Sequence, residues 1–191
     1  FTYDAPTVTY TTSMNAPTTS GASVTVQGVN FHGSDLTATI MLSTDACTTT
    51  SWSSITALSC QTPSGAGFGK SVVVVQDTLT GTQYLGFSYD SPVITSVATR
   101  NGPTSGASVT TIMGLNFGAA DLSLTAKLGV TSCASTDWIT ETAVLCLNEA
   151  GFGIKGFVTV VLDDHSGTLA AGFTYDTAVL TAVSALNSPT S

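Results

Sequence analysis

Apolar and polar residues alternate along this chain in short runs. Ser23-Val24-Thr25-Val26 and Val158-Thr159-Val160 step with a period of two. That period places successive side chains on opposite faces of an extended segment. Similar runs predict strands over Thr7–Tyr10, Ser23–Gln27, Leu36–Leu42, Ser54–Ser59, Ser71–Gln76 and Tyr84–Tyr89. A second set follows over Val93–Val97, Ser108–Met113, Leu122–Leu128, Thr140–Cys146, Phe157–Leu162 and Ala171–Tyr175. The residues are Val, Thr, Ile, Tyr and Phe, which suit a pleated, half-buried surface. Pro17-Thr-Thr-Ser-Gly21 and Pro103-Thr-Ser-Gly106 mark turns, since Pro presets one dihedral and Gly accepts positive φ. No window carries a helical period with caps. The fold class expected is all-β, an antiparallel sandwich.

The two sets are one pattern repeated. Tyr3-Asp4 recurs as Tyr89-Asp90 and as Tyr175-Asp176, 86 residues apart each time. The same shift carries Gly28-Val-Asn30-Phe31 onto Gly114-Leu-Asn116-Phe117, and Cys47, Trp52 and Cys60 onto Cys133, Trp138 and Cys146. Pro103-Thr104-Ser105 maps onto Pro189-Thr190-Ser191. The division expected is therefore 1–4 as the end of a preceding repeat, domains at 5–90 and 91–176, and 177–191 as the start of a third. In this reading the chain is a piece of a longer tandem array. Repeat two has one extra residue in Val109–Met113 relative to Val24–Gln27 and one fewer in the turn before it, which predicts a β-bulge near Thr110 or Thr111. Asn30 and Asn116 read as turn residues that tolerate the left-handed region.

Composition narrows the function. Only 8% of the 191 residues are charged, with 12 acids against 4 bases and a net charge of -8. Four bases cannot build the basic face that tracks a phosphate backbone, so nucleic acid is excluded as a partner. No apolar run is long enough to span a membrane as a helix. Polarity comes instead from 23 Ser and 35 Thr. Four cysteines stand two per repeat with twelve residues between them. The spacing does not suit a metal site. Free thiols are one alternative; the favoured reading is one disulfide per repeat, Cys47 with Cys60 and Cys133 with Cys146, as an oxidising compartment allows.

The ordered motifs resemble the IPT/TIG domain, an immunoglobulin-like sandwich. They are Pro6 and Pro92 at the first strand, a P-T-S-G-A-S-V-T segment, and the G-x-N-F turn. Ile55-Thr-Ala-Leu-Ser-Cys60-Gln-Thr62-Pro63 and Gly67-Phe68-Gly69 follow. Repeat two keeps most of this but has Asn148-Glu149 in place of Thr62-Pro63. The paired cysteines are similar to the extracellular, plexin- and fibrocystin-like branch. The resemblance implies a non-enzymatic spacer, adhesion surface or binding platform at the cell surface or outside the cell.

Candidate chemistry is sparse. Asp163-Asp164-His165 reads as a solvated hairpin turn rather than part of a hydrolytic triad, with calcium as an alternative ligand. No metal or cofactor is expected. Asp4, Asp90 and Asp176 read as polar caps at strand ends, and Tyr89-Asp90-Ser91-Pro92 leaves almost no linker, which implies a stiff rod. Lys70 and Lys155 fall near equivalent positions, without a dedicated acid for an isopeptide crosslink. The chain has no N-x-[ST] sequon. The candidate O-glycan carriers are Thr11, Thr12, Ser13, Thr18, Thr19, Ser20, Thr48, Thr49, Thr50 and Ser51. The function expected is a structural segment of an extracellular stalk or filament, self-associating in a line. The alternative is an adhesin or receptor ectodomain binding protein or glycan, with Tyr10, Tyr84 and Phe157 as repeat-specific aromatics.

Overall fold

The computed structural model describes residues 3–35 and 37–182. Residues 183–191, and with them the Pro189-Thr190-Ser191 match and most of the expected third repeat, lie outside the described residues, as do Phe1 and Thr2.

Two sandwiches follow one another. In domain 1, one sheet orders Thr7–Thr11 (β1), Ser23–Val29 (β3), Ala57–Gln61 (β7) and Thr49–Ser54 (β6) as β1-β3-β7-β6. The other orders Asn15–Ala16 (β2), Leu79–Tyr89 (β9), Lys70–Gln76 (β8), Thr39–Leu42 (β4) and Asp45–Ala46 (β5) as β2-β9-β8-β4-β5. Domain 2 repeats both orders. Val93–Val97 (β10), Val109–Leu115 (β12), Ala143–Leu147 (β16) and Ser135–Thr140 (β15) form its first sheet. Asn101–Gly102 (β11), His165–Tyr175 (β18), Gly156–Leu162 (β17), Thr125–Leu128 (β13) and Thr131–Ser132 (β14) form its second. Among the described residues no helix is long and apolar enough to cross a membrane.

The period of two fills each core. Val24, Val26 and Leu58 of one sheet pack with Ile40, Leu42, Val72 and Val74 of the other in one buried cluster that includes Phe31 and Phe87. Ile112, Leu128, Val144, Val158, Val160, Phe117 and Phe173 do the same in domain 2. Phe87 stands edge-on to Tyr89 at 5.2 Å, and Phe173 to Tyr175 at 5.2 Å. Cys47 bonds Cys60 and Cys133 bonds Cys146, each bridge tying the crossover from one sheet to the other onto an inner strand, β7 or β16, beside a half-buried Trp. The indole N–H of Trp52 donates to the Phe31 carbonyl at 3.1 Å, and that of Trp138 to the Gly118 carbonyl at 3.3 Å.

The G-x-N-F turn has more than a turn role. A side chain at Gly28 would collide with the Thr7 carbonyl and the Phe31 ring, so only Gly lets the first strand lie this close. Asn30 and Asn116 do take the left-handed backbone, at φ 65° and 63°. Their side chains also donate to the Ala5 and Ser91 carbonyls at 3.1 Å, holding the chain as it enters each domain.

The bulge lies elsewhere than expected. β3 and β12 each have seven residues, and Val24 pairs with Cys60 as Thr110 pairs with Cys146, so no residue is inserted near Thr110 or Thr111. The register shifts instead on the facing strands, between Val8 and Tyr10 and between Ile94 and Ser96, alike in both domains. Ser54–Ser59 and Thr140–Cys146, expected as single strands, are broken by the turns of the β6–β7 and β15–β16 hairpins.

Candidate functional site at the domain joint

The chain passes from domain 1 to domain 2 through Tyr89-Asp90-Ser91-Pro92, and each residue is tied down. Tyr89 is buried, its hydroxyl donating to the Pro63 carbonyl at 3.1 Å. Burial, and then the charge of Asp45, push that phenol up to about 12. Asp90 belongs to domain 1: its amide donates to the Ala16 carbonyl at 2.8 Å and its carboxylate accepts from the Asn15 side chain. Ser91 belongs to domain 2. Asn116 holds its carbonyl, and its hydroxyl lies 2.8 Å from His165 Nδ1. The covalent linker is thus divided between the two domains with nothing left over.

A second set of contacts bridges the domains through space. β8 begins at a loop, Gly67–Gly69, and β18 begins at a hairpin, Asp163–His165. Lys70 Nζ meets Asp163 Oδ2 at 3.1 Å, and the Phe68 amide donates to Asp164 Oδ1 at 2.9 Å. The Phe68 and His165 rings meet edge-on at 6.2 Å, and Ala66 packs against the domain 2 core. Gly67, at φ 95°, makes this approach feasible, because a side chain there would occupy the place of the Asp163 carboxylate. Beside the contact lies an open groove of 440 Å³ lined by Met14, Phe68, Leu85, Asp90 and His165, among others.

This geometry bears on each candidate. Asp163-Asp164 does form a turn, but its carboxylates engage Lys70 and the Phe68 amide rather than solvent alone. Ser91 and His165 make a pair without a third member. The serine sits on Nδ1, and Nε2 is buried with no partner among the described residues, unlike a nucleophilic triad. Two of the three strand-end aspartates are held as caps, by partners that were missed in the sequence: Asn15 holds Asp90 and Asn101 holds Asp176. Those asparagines are themselves 86 residues apart, so the repeat shift carried the signal. Lys70 and Lys155 are not equivalent; Lys70 and Gly156 share the same register opposite Phe87 and Phe173.

Of the ten hydroxyls singled out, Thr11 and Thr18 are buried and unavailable to a glycan; Thr11 Oγ1 donates to the Gly86 carbonyl at 2.9 Å. Thr19 and Thr50 are half-buried, and Thr12, Ser13, Ser20, Thr48, Thr49 and Ser51 are exposed. Tyr10, Tyr84 and Phe157 are exposed but not gathered. Tyr84 stands at the joint end of domain 1, whereas Phe157 lies at the start of β17, whose other end reaches the joint.

The chain is similar to several solved structures that are much longer than it is. It matches a surface glycan-binding protein from Prevotella bryantii at TM-score 0.57 and 16% identity, over 92% of this chain and 43% of that one. It matches a protein crystallised with a xylogluco-oligosaccharide at TM-score 0.51 and 14% identity, over 96% and 44%. It matches the plexin A4 extracellular region at TM-score 0.44 and 17% identity, over 90% and 18%. The chain therefore spans less than half the length of each. At these identities the first two likenesses speak for the fold alone. The family model for the IPT/TIG domain matches residues 6–89 and again 92–177, and the chain belongs to that family, as two copies of the domain in tandem.

Proposed function

We propose that this chain is a structural repeat segment of an extracellular or cell-surface stalk or filament, without enzymatic activity. The observation that carries the reading is the joint. Asp90 is fixed to one domain, Ser91 to the next, and the Lys70–Asp163 and Phe68–Asp164 contacts brace the pair from the side. A joint held at four points keeps two domains at one angle, which serves a spacer. One disulfide per domain and low charge suit an oxidising, extracellular setting. The exposed Ser and Thr would carry O-linked glycans on a surface poor in charge.

Small-angle scattering of the chain, with electron microscopy of the parent material, tests this. A narrow distribution of interdomain angles and ordered linear particles are expected. A broad distribution would refute the stalk reading. One observation favours a second function, a binding ectodomain. Met14, Phe68, Tyr84 and Leu85 are exposed at the joint end of domain 1, where domain 2 has Arg100, Ile154, Ala170 and Ala171. Binding to a protein or glycan array that is lost in Phe68→Ser would support it.

A further inference from the structure

The two domains differ along one flank, away from the joint. In β12 the residues that alternate with the core are Val109, Thr111, Met113 and Leu115; in β16 they are Ala143, Leu145 and Leu147. Val109 pairs with Leu147, Thr111 with Leu145 and Met113 with Ala143, so these side chains share the face turned away from the core. Val93 of β10 extends that face beside Leu115. Val109, Met113, Leu115 and Val93 are 56%, 45%, 52% and 48% exposed.

Domain 1 has the same face with different chemistry. The 86-residue shift carries the β12 positions back to Ser23, Thr25, Gln27 and Val29, and the β16 positions to Ala57, Ser59 and Gln61. On these two inner strands Ser23, Gln27, Ser59 and Gln61 become apolar in domain 2, the other three keep their character, and none changes the other way. The edge strands are mixed: Thr7 becomes Val93, but Tyr10 becomes Ser96 and Ser51 becomes Asp137. Domain 1 builds the same sheet with Ser and Gln at these places, so the fold does not require the apolar set. Single exposed apolar residues are ordinary, whereas a contiguous group of them marks a contact surface.

Its chemistry selects what covers it. The face is an open sheet surface of aliphatic side chains, without the concavity and aromatic lining of a small-ligand site. In a chain of net charge -8 it has no basic cluster to draw it to an anionic membrane. Its charges lie at opposite edges. Asp137 stands on β15 beside Leu145. Arg100 follows β10, two residues past Ala98, whose amide donates to the Thr111 carbonyl. Both are exposed, and neither has an ion-pair partner among the described residues.

We infer that domain 2 pairs through this face with domain 2 of a second copy, the two sheets stacked as the sheets within one sandwich are. A two-fold axis along the strands lays β15 of one copy over β10 of the other and brings each Asp137 towards the partner's Arg100. The contact is isologous and closes at two copies. Four strands about 4.8 Å apart, of five to seven residues rising about 3.4 Å each, give a face of roughly 400 Å². Two such faces bury about 800 Å² together, at the small end for protein contacts, so the pairing is weak and concentration-dependent. It lies on the side of the molecule, goes beyond the stalk reading and does not depend on the stiffness of the joint.

Sedimentation velocity of the chain over a wide concentration range tests this. A monomer–dimer equilibrium without larger species is expected. Met113→Gln with Leu147→Gln restores the residues that domain 1 carries at the same places, so the variant folds, and it should raise the dissociation constant at least tenfold. Asp137→Arg and Arg100→Asp should each weaken pairing alone, and mixing the two should restore it, because both cross-copy pairs then join opposite charges. A chain that stays monomeric, dimers indifferent to the double substitution, open-ended oligomers, or a mixture that fails to recover would overturn the pairing. Flotation with phosphatidylcholine vesicles, lost in the double variant of an otherwise monomeric chain, would assign the face to a lipid surface and overturn it as well. A broad distribution of interdomain angles with the dimer intact would refute the stalk reading and leave the pairing standing.

Discussion

The two cores solve one packing problem in two ways, and exchanging the solutions gives a sharp test. At one site domain 1 has Val24 beside Thr62, and the Thr62 hydroxyl accepts from the Ala22 amide at 3.1 Å. Domain 2 has Thr110 beside Asn148, both buried. The Asn148 amide donates to Ser108 Oγ at 2.7 Å and to Thr110 Oγ1 at 3.1 Å. Thr110→Val is nearly isosteric but leaves one amide N–H of Asn148 buried and unmet. Such a group costs about 1–3 kcal/mol, partly offset by the added methyl; a net loss of about 1 kcal/mol is expected. Asn148→Thr alone strands the Thr110 hydroxyl, at about 1–2 kcal/mol. The double substitution recreates the Val24–Thr62 pair and should return close to the native stability. The coupling is then about 2 kcal/mol, within the range seen for contacting residues. For a domain of this size each kcal/mol moves Tm by roughly 4–8 °C. Urea unfolding followed by Trp138 fluorescence, in a Trp52→Phe background, reads domain 2 separately. Additive losses in the double variant would show that the two residues act independently and would refute the reasoning.

Other expectations follow from the same contacts. Replacing Cys133 and Cys146 by Ser should cost domain 2 about 2–3 kcal/mol, from a loop closed over 13 residues, while leaving the domain 1 transition in place; calorimetry with and without reductant checks this. Gly67→Val should widen the interdomain angle seen in scattering more than Lys70→Ala does. The valine displaces the Asp163 carboxylate, whereas the partly exposed ion pair is worth only about 0.5 kcal/mol and weakens with salt. Tyr89 retains its proton in the native state up to about 12, above the ordinary value of 10.0. The neutral phenol's contribution is therefore complete below pH 10 and declines as pH rises towards 12, and an alkaline urea series should show domain 1 losing stability there. Tyr89→Phe should abolish that slope.

The architecture was legible because the repeat supplied every strong signal twice. Val24-Thr-Val26 and Val158-Thr-Val160 alternate cleanly, since one face of each strand is fully buried. Thr49–Ser54 was hidden for the opposite reason. It is an outer strand built of Thr, Ser and one Trp, none of its residues fully buried, so it carries no apolar period. The two-residue strands Asn15–Ala16 and Asn101–Gly102 are too short for any pattern. The joint was half legible. Asp90 and the short linker stood out, but Lys70–Asp163 and Phe68–Asp164 join residues more than 90 positions apart, a proximity that no local pattern encodes. Thr11 and Thr18 were misjudged because a buried threonine has the same composition as an exposed one; Thr11 meets the Gly86 carbonyl, while Thr18 is buried without a hydrogen-bond partner among the described residues.

The short parallel pairing of β2 with β9 has a mechanical consequence. Asn15 and Ala16 lie beside Ser88 and Tyr89, near the entry and the exit of domain 1, and the two strands run the same way. Tension applied along the chain pulls β2 backwards and β9 forwards. The bonds between them, Ser88 amide to Met14 carbonyl and Asp90 amide to Ala16 carbonyl, both at 2.8 Å, then carry load in shear and must break together. A pairing peeled from one end would instead yield one bond at a time. Asn15 adds its side-chain bond to Asp90 at the same place, and Asn101 with Asp176 repeats the arrangement in domain 2. Each domain thus carries its own force-bearing clasp, which takes the load once a pull has passed the strand that precedes it, β1 or β10.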